Sequence, residues 1–249
     1  MLKVFKKGDI ITLPNIELNP EYSLSQEFSI TKNLAPNLTF YSVGYYTQLT
    51  NAIIKRPTLV NQAPDGEEPF WQSMILYDDE MVYTYANQNS PTTIDIYGGT
   101  IGFNAVVYGF KINGDFNITR GKNRGGEEEP VAHIPPNFGK LEIVKKINKV
   151  QARLLLLYSA AKKVEDFDSA GVDNLDETPL VGFSEESGEE VWAGLPSWHT
   201  LNFSIRYELS DAFSFSFGLE NIMDMHYKTF SSGISAAGRN FIFSGQYNF

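Results

Sequence analysis

LNFSIRYELSDAFSFSFGLE, residues 201–220, alternates apolar and polar side chains almost without a break. Leu201, Phe203, Ile205 and Tyr207 share one parity and Asn202, Ser204, Arg206 and Glu208 the other. After the short LSDA stretch, Phe213, Phe215, Phe217 and Leu219 oppose Ser214, Ser216, Gly218 and Glu220. Strand side chains point to opposite faces with period two, so the spacing predicts a hairpin of two half-apolar strands. The last residues, RNFIFSGQYNF, repeat the pattern. Phe241, Phe243, Gly245, Tyr247 and Phe249 lie opposite the mostly polar Asn240, Ile242, Ser244, Gln246 and Asn248.

Upstream, the same alternation recurs between turn signals. It predicts strands over Tyr22–Ile30, over Leu38–Leu49 with aromatic residues on both faces, and over Ile94–Val107. After a hairpin turn expected at Asn113-Gly114, the strongest short turn signal, Phe116 and Ile118 mark another strand. Leu141 and Ile143 alternate with Lys140 and Glu142, and a turn near Asn148 leads into Val150–Ser159. About nine strands result. Tight connections near Asn33–Pro36, Asn113-Gly114, Asn148 and Ser210-Asp211 alternate with long ones near 51–91, 121–135, 163–196 and 223–237. An up-and-down sheet would carry every short turn at one end and every long loop at the other, the asymmetry of outer-membrane barrels.

The totals narrow the function classes. With 42% hydrophobic residues, 18 Phe and 13 Tyr in 249 residues, a mainly disordered chain is excluded. A formal net charge of -10 argues against nucleic acid, which needs a basic surface. No cysteine is present, so neither a disulfide framework nor thiolate chemistry is available. The longest greasy run, LLLLYSAA at 154–161, is too short for a transmembrane helix. The start, MLKVFKKGDIITLP, lacks an apolar core of signal-peptide length, so the expectation is either a cytoplasmic protein or the tail of something longer.

No catalytic set emerges. There is no G-x-S-x-G elbow. His133, His199 and His226 are too scattered for a helical zinc motif, and each reads as a surface or rim residue. The acid pair Glu189-Glu190 follows from composition, and GKNRGG at 121–126 follows a strand but precedes no helix. The acidic stretch 165–190 lacks the spacing of a calcium loop and reads as a solvated surface loop. Neither an enzyme nor a cofactor is expected. Two architectures fit a half-apolar sheet: a soluble carbohydrate-binding or adhesive β-sandwich with the apolar face inside, or a membrane barrel with lipid outside. The Ser, Asn, Gly and Thr of the polar faces favour the barrel, since a soluble sheet shows more Lys and Glu. An enzymatic outer-membrane barrel would need a catalytic set that the chain does not display.

WHTLNFSIRYELSDAFSFSFGLENIMDMHYKTFSSGISAAGRNFIFSGQYNF, Trp198–Phe249, resembles the C-terminal end of a TonB-dependent outer-membrane receptor. The matching parts are Asn221 in LENIMD, Tyr227 in MHYKTF, Gly238-Arg239 in AAGRNF and the final aromatic strand. IPPNFGKLEI resembles the family's Pro-Pro-x-x-Gly strand start at Pro135, Pro136 and Gly139. LNPEYSLSQEFSI resembles its Pro-Glu-x-Ser strand at Pro20 and Glu21, with Glu27 downstream.

The resemblance implies an all-β, antiparallel up-and-down transmembrane barrel of about 22 strands. Residues 1–249 would be its nine C-terminal strands, with the plug domain and energy-coupling box not in this chain. It implies the outer membrane of a Gram-negative bacterium, and import of a scarce ligand such as a ferric siderophore, cobalamin or oligosaccharide. Partners would be outer-membrane lipid, the remaining barrel strands and plug, the TonB system through that plug, and the barrel-assembly machinery. Phe241, Phe243, Tyr247 and Phe249 would carry the assembly signal. Trp71, Trp192 and Phe230, in the long loops, fit either ligand stacking or an interfacial girdle.

Overall fold

The computed structural model describes residues 5–7, 9–63, 68–125, 130–168, 172–185, 188 and 190–248. Phe249 of the expected assembly signal, Glu189 of the acid pair and Gly126 lie outside them. Nine strands form the wall among the described residues. They are β1 (Tyr22–Ala35), β2 (Leu38–Thr50), β3 (Ile94–Val107), β4 (Phe110–Asn123), β5 (Phe138–Ile147), β6 (Val150–Ser159), β7 (Trp198–Glu208), β8 (Phe213–Glu220) and β9 (Asn240–Tyr247). Each pairs antiparallel with its chain neighbours only, so the sheet runs from β1 to β9 in sequence order and does not close on itself. Tight turns at 36–37, 108–109, 148–149 and 209–212 alternate with long connections at 51–93, 124–137, 160–197 and 221–239, the two-ended asymmetry expected from the sequence.

The Asn113-Gly114 turn is corrected. The chain reverses at Tyr108 (φ +48°) and Gly109 (φ +73°), and Asn113-Gly114 lies inside β4, paired with Asn104 and Phe103. Two successive left-handed residues make the type of two-residue turn that matches strand twist, and here a tyrosine takes the first position in place of the usual Asn. Gly114 has a packing role instead. A Cβ there would come within 2.7 Å of the Phe103 ring. Asn113 donates to Glu142 Oε2 at 3.0 Å across to β5.

The connection at 51–93 also differs from a plain loop. Ile53–Pro57, Met74–Tyr77 and Glu80–Asn89 join Phe5–Lys7 and Ile10–Leu13 in a second, five-stranded sheet, in which Ile10–Leu13 runs parallel to residues 83–86. Its core is Ile11, Val82, Thr84 and Ala86, with Ala52 buried beside it. Four of its strands hold only three to five residues, one of them with a partner some seventy residues away, and carry too few alternations to be read from the sequence; the central Glu80–Asn89, at ten residues, is the exception. Two ribbons, Val60–Asn61 with Trp71–Gln72 and Leu180–Phe183 with Glu190–Trp192, complete the described loop strands.

Register sorts the wall's side chains into two faces. Phe213↔Tyr247, Phe217↔Phe243, Ile205↔Phe217, Leu154↔Phe203, Ile143↔Leu154, Ile112↔Ile143, Phe103↔Phe40 and Ile101↔Phe116 put the apolar rows on one side. That side is bare: Phe243 is 75% exposed, Phe28 69% and Phe241 65%. No second sheet covers these rows among the described residues, which is not how a soluble sandwich hides its aromatic face. Tyrosines border the band, with Tyr22, Tyr46, Tyr97 and Tyr158 toward the loop end and Tyr108, Tyr207 and Tyr247 toward the turn end. Paired aromatic girdles around an apolar band are the signature of a membrane-spanning sheet.

Placing the turn at 108–109 has a measurable consequence. Gly109→Val forces a β-branched residue to φ +73° and is expected to lower unfolding stability by about 1–2 kcal/mol in urea titrations of the chain in detergent micelles, whereas Asn113→Ser, inside β4, is expected to leave the hairpin's register intact.

Candidate ligand-facing site

The opposite face of the wall is polar and internally paired. Glu142 on β5 accepts from Asn113 on β4 and from Arg153 Nε on β6. One step along, Asp115 accepts from Asn117 Nδ2 at 3.0 Å and lies 3.4 Å from Lys140 Nζ, while Thr100 Oγ1 donates to Asn117 Oδ1 at 2.5 Å. Arg206 on β7 donates to Ser214 Oγ at 3.0 Å and to Gln246 Oε1 at 3.4 Å, and Ser216 and Ser244 share a 2.6 Å bond. Tyr45 lies across Gly98, whose missing side chain leaves it room, and reaches Thr119 Oγ1 at 2.6 Å. Each network crosses strands; charge is balanced at Glu142–Arg153 and Asp115–Lys140, whereas the Arg206 guanidinium is held by the neutral Ser214 and Gln246.

Near the loop end of this face, a cavity of about 270 Å³ is lined by Arg153, Thr200, Asn202, Glu220, Tyr227 and Gly238, among others. The segment 221–239 folds over it, and the residues singled out by the resemblance explain how. Asn221 is buried and left-handed (φ +47°). Its amide clamps the loop: Oδ1 accepts from Met225 N at 2.9 Å, Nδ2 donates to Met225 O at 2.8 Å and Ala237 O at 3.2 Å, and its own N–H donates to Asn202 Oδ1 at 2.8 Å. Asp224 Oδ1 accepts from Arg239 N at 2.7 Å, and Arg239 Nε donates back to Ile222 O at 3.0 Å. A Cβ at Gly238 would sit 2.8 Å from that Asp224 oxygen, so glycine keeps the two ends of the loop together. The Tyr227 ring packs 4.3 Å from Trp198. Glu21 Oε2 accepts from Ile53 N at 3.0 Å, while Pro20 and Glu27 are exposed at and along the first wall strand. Pro135 and Pro136 lead into β5, where Gly139 passes close to the backbone of Asp115.

Three long connections share one buried centre that sequence reasoning missed. Lys162, 4% exposed, bonds Asp173 Oδ2 at 2.9 Å and Ile134 O at 2.8 Å, and its ammonium lies 4.3 Å from the Phe230 ring and 5.0 Å from that of Phe167. Asp173, 2% exposed, takes His133 N–H on its other oxygen at 2.9 Å. Backbone bonds of 2.9 Å in both directions tie Lys162 to Leu195, made possible by Gly194 at φ +74°. The acidic stretch expected to be a solvated surface is thus anchored at Asp173, Phe167 and Thr178, all buried. Of its described acids, Glu165, Asp166, Asp176, Glu185 and Glu190 are exposed as expected, and the neighbouring Lys163 ammonium holds the Glu165 carboxyl below its usual range. A lysine and an aspartate eleven residues apart give no local signal; only the fold pairs them.

Of the three aromatic candidates, Phe230 lies half-buried over Lys162, Trp192 is half-buried in its ribbon, and Trp71 is 58% exposed. They occupy three different connections, and no ring contact joins them among the described residues. His226 Nε2 is 3.1 Å from Ser235 Oγ, and the described residues hold no cluster of His, Cys, Asp and Glu suited to a metal.

Comparison with known proteins gives one consistent picture. The profile of the family described as TonB dependent receptor-like, beta-barrel matches residues 7–222. No curated protein sequence matches the chain. Among solved structures, the copper transporter OprC is similar with a TM-score of 0.67 at 15% identity, over 94% of this chain and 33% of its own. The siderophore receptor PirA from Acinetobacter baumannii gives 0.67 at 14%, over 96% and 33%. The FrpB iron transporter from Neisseria meningitidis gives 0.63 at 10%, over 96% and 33%. The chain spans about a third of the length of these structures, and at such identities the likeness establishes the fold.

The buried pair provides a test of the loop centre. Lys162→Met strands Asp173 without a countercharge and is expected to cost about 3–5 kcal/mol of local stability, seen as rapid proteolysis within 160–197 and 221–239. The double variant Lys162→Met/Asp173→Leu is expected to regain most of the protection.

Proposed function

This chain belongs to the TonB-dependent receptor-like β-barrel family, and from that premise we propose that residues 1–249 form the C-terminal part of the barrel wall of an active-transport receptor in the outer membrane of a Gram-negative bacterium. The observation that carries this reading is the two-faced wall, with a bare Phe, Leu and Ile band bordered by tyrosines on one side and paired polar networks on the other. Hydrocarbon is the solvent in which that band is stable, and the polar face suits a hydrated lumen closed by a plug. Enzymatic chemistry has no part in this reading.

In this proposal the short turns face the periplasm and the long connections face the medium. The remaining strands and the plug complete the barrel, and the TonB system acts through the plug. The barrel-assembly machinery reads the terminal aromatic strand at Phe241, Phe243 and Tyr247, which are 65%, 75% and 55% exposed on an edge of the sheet. The ligand is captured by the loops, with Trp71, Trp192 and Phe230 as the aromatic contacts. The structural neighbours named for copper, iron and siderophores favour a metal cargo, and we place a ferric siderophore ahead of cobalamin or an oligosaccharide.

Because the chain has no cysteine, single substitutions report one position each. In isolated outer membranes, Phe217→Cys is expected to resist a water-soluble maleimide and Ser216→Cys to react with it. Equal labelling of the two neighbours would end the membrane reading. Disruption of the gene is expected to abolish uptake of radiolabelled ferric siderophore by iron-starved cells; unchanged uptake, with labelling as expected, would move the ligand to another class.

A further inference from the structure

The apolar face of β4 ends abruptly in charge. Phe110, Ile112, Phe116 and Ile118 share the apolar face with Arg120 and Lys122, because Tyr97 pairs with Arg120 and Asp95 with Lys122 in the same register that pairs Ile101 with Phe116. Eight residues separate Phe110 from Ile118, about 27 Å of strand. At a tilt of about 40° that length spans about 21 Å of thickness, close to a full apolar band. Arg120 therefore stands at the height of the tyrosine girdle and Lys122 just above it, at the loop end of the wall.

Both side chains are exposed. Arg120 is oriented by Thr119 O at 2.7 Å and Asn137 Oδ1 at 2.9 Å, neither of which neutralises it. Arg124 continues the row but is already satisfied by Asp95 Oδ2 and the Tyr46 hydroxyl, each at 2.6 Å. β5 begins at Phe138, opposite Asn117, so the last six residues of β4 extend beyond the strand beside it. The resulting notch is a cavity of about 610 Å³ lined by Tyr97, Arg120, Lys122 and Pro135, among others. Its acids are Glu165, neutralised by Lys163 at 3.0 Å, and Asp166.

We propose that this notch binds the phosphate group of an anionic lipid headgroup at the outer surface of the membrane, Arg120 and Lys122 supplying the charge and the Tyr97–Ile118 surface below them receiving the acyl chains. The inference rests on the membrane reading above. Lipid is favoured over soluble phosphate because the cations continue an apolar band without interruption, so a ligand reaching them carries both a charge and a hydrocarbon tail. Guanidinium and ammonium groups at a membrane surface add roughly fivefold each to the affinity for anionic lipid, and the attraction weakens as salt rises.

The test uses the full chain in neutral detergent micelles, titrated with phosphatidylglycerol or phosphatidylcholine and followed by native mass spectrometry of retained lipid. Arg120→Gln/Lys122→Gln is expected to weaken phosphatidylglycerol retention by about 25-fold and to leave the weak phosphatidylcholine retention unchanged. Lys32→Gln/Lys111→Gln, which removes the same charge from the turn end, is expected to behave as the unaltered chain. Equal loss in both double variants, no loss in the first, or displacement of the lipid by inorganic phosphate at matched concentration would overturn the proposal. A chain that enters the micelles without preferring either lipid fails this inference alone, whereas one that stays outside them fails the membrane reading itself.

Discussion

A polypeptide crossing hydrocarbon must satisfy its backbone N–H and C=O groups within itself, because nothing in the surrounding solvent will accept or donate a hydrogen bond. The continuous ladders from β1 to β9 meet that demand at every seam between them, leaving the outer edges of β1 and β9. Once they do, side-chain choice is released on both faces, and the period-two alternation can present phenylalanine to lipid and serine to water along the same strand. A slip of one residue at any seam would carry an entire Phe row to the polar side. Register is therefore fixed by the contrast between the faces, and the glycines at 98 and 114 sharpen it by accepting a specific ring from the adjacent strand.

The connections obey a different rule, since water is available to them and a core must be made from side chains. At 221–239 the solution is short-range: Asn221 and Asp224 tie the start of the connection to its end through backbone amides, which keeps the cavity beneath it covered. Between connections the solution is electrostatic. The Lys162–Asp173 pair is almost fully desolvated, a poor source of net stability but a strict selector of geometry, because either charge alone would be costly to bury. Phe167 and Phe230 add ring faces to the same ammonium. The rim above the wall is thereby held as one unit drawn from three parts of the sequence.

The wall was legible because its signal is local and repeated. Leu201–Glu220 shows both strands and their turn within twenty residues, and the alternation of short and long connections follows from counting. Asn113-Gly114 misled because turn propensity and strand pairing compete, and here the pairing of Phe103 with Gly114 prevailed while Tyr108 accepted an unfavourable φ. The five-stranded sheet was hidden for a different reason: Ile10–Leu13 finds its partner at residues 83–86, and four residues hold no readable period. Nor could Lys162 be distinguished from any other lysine by its neighbours. The motif positions were recognisable as a pattern, but their physical roles, such as the absence of space for a Cβ at Gly238, needed the fold.

Two edges remain, and their directions constrain what completes them. In an antiparallel sheet of nine strands the first and last run the same way, so β1 and β9 could meet only through a parallel seam. Two copies of the sheet placed side by side, loops on one end, would meet through parallel seams as well. An odd number of further strands makes both seams antiparallel, and the about thirteen that a 22-stranded barrel leaves over satisfy this. Both edges are exposed along their whole lengths apart from Ala35 and carry lipid-type side chains, Tyr22, Leu24, Phe28 and Ile30 on β1 and Phe241, Phe243 and Tyr247 on β9. In water such edges pair with whatever strand they meet. Direction thus separates productive completion from self-association, because a second copy with its loops on the same end presents an edge strand that runs the same way as the edge it meets.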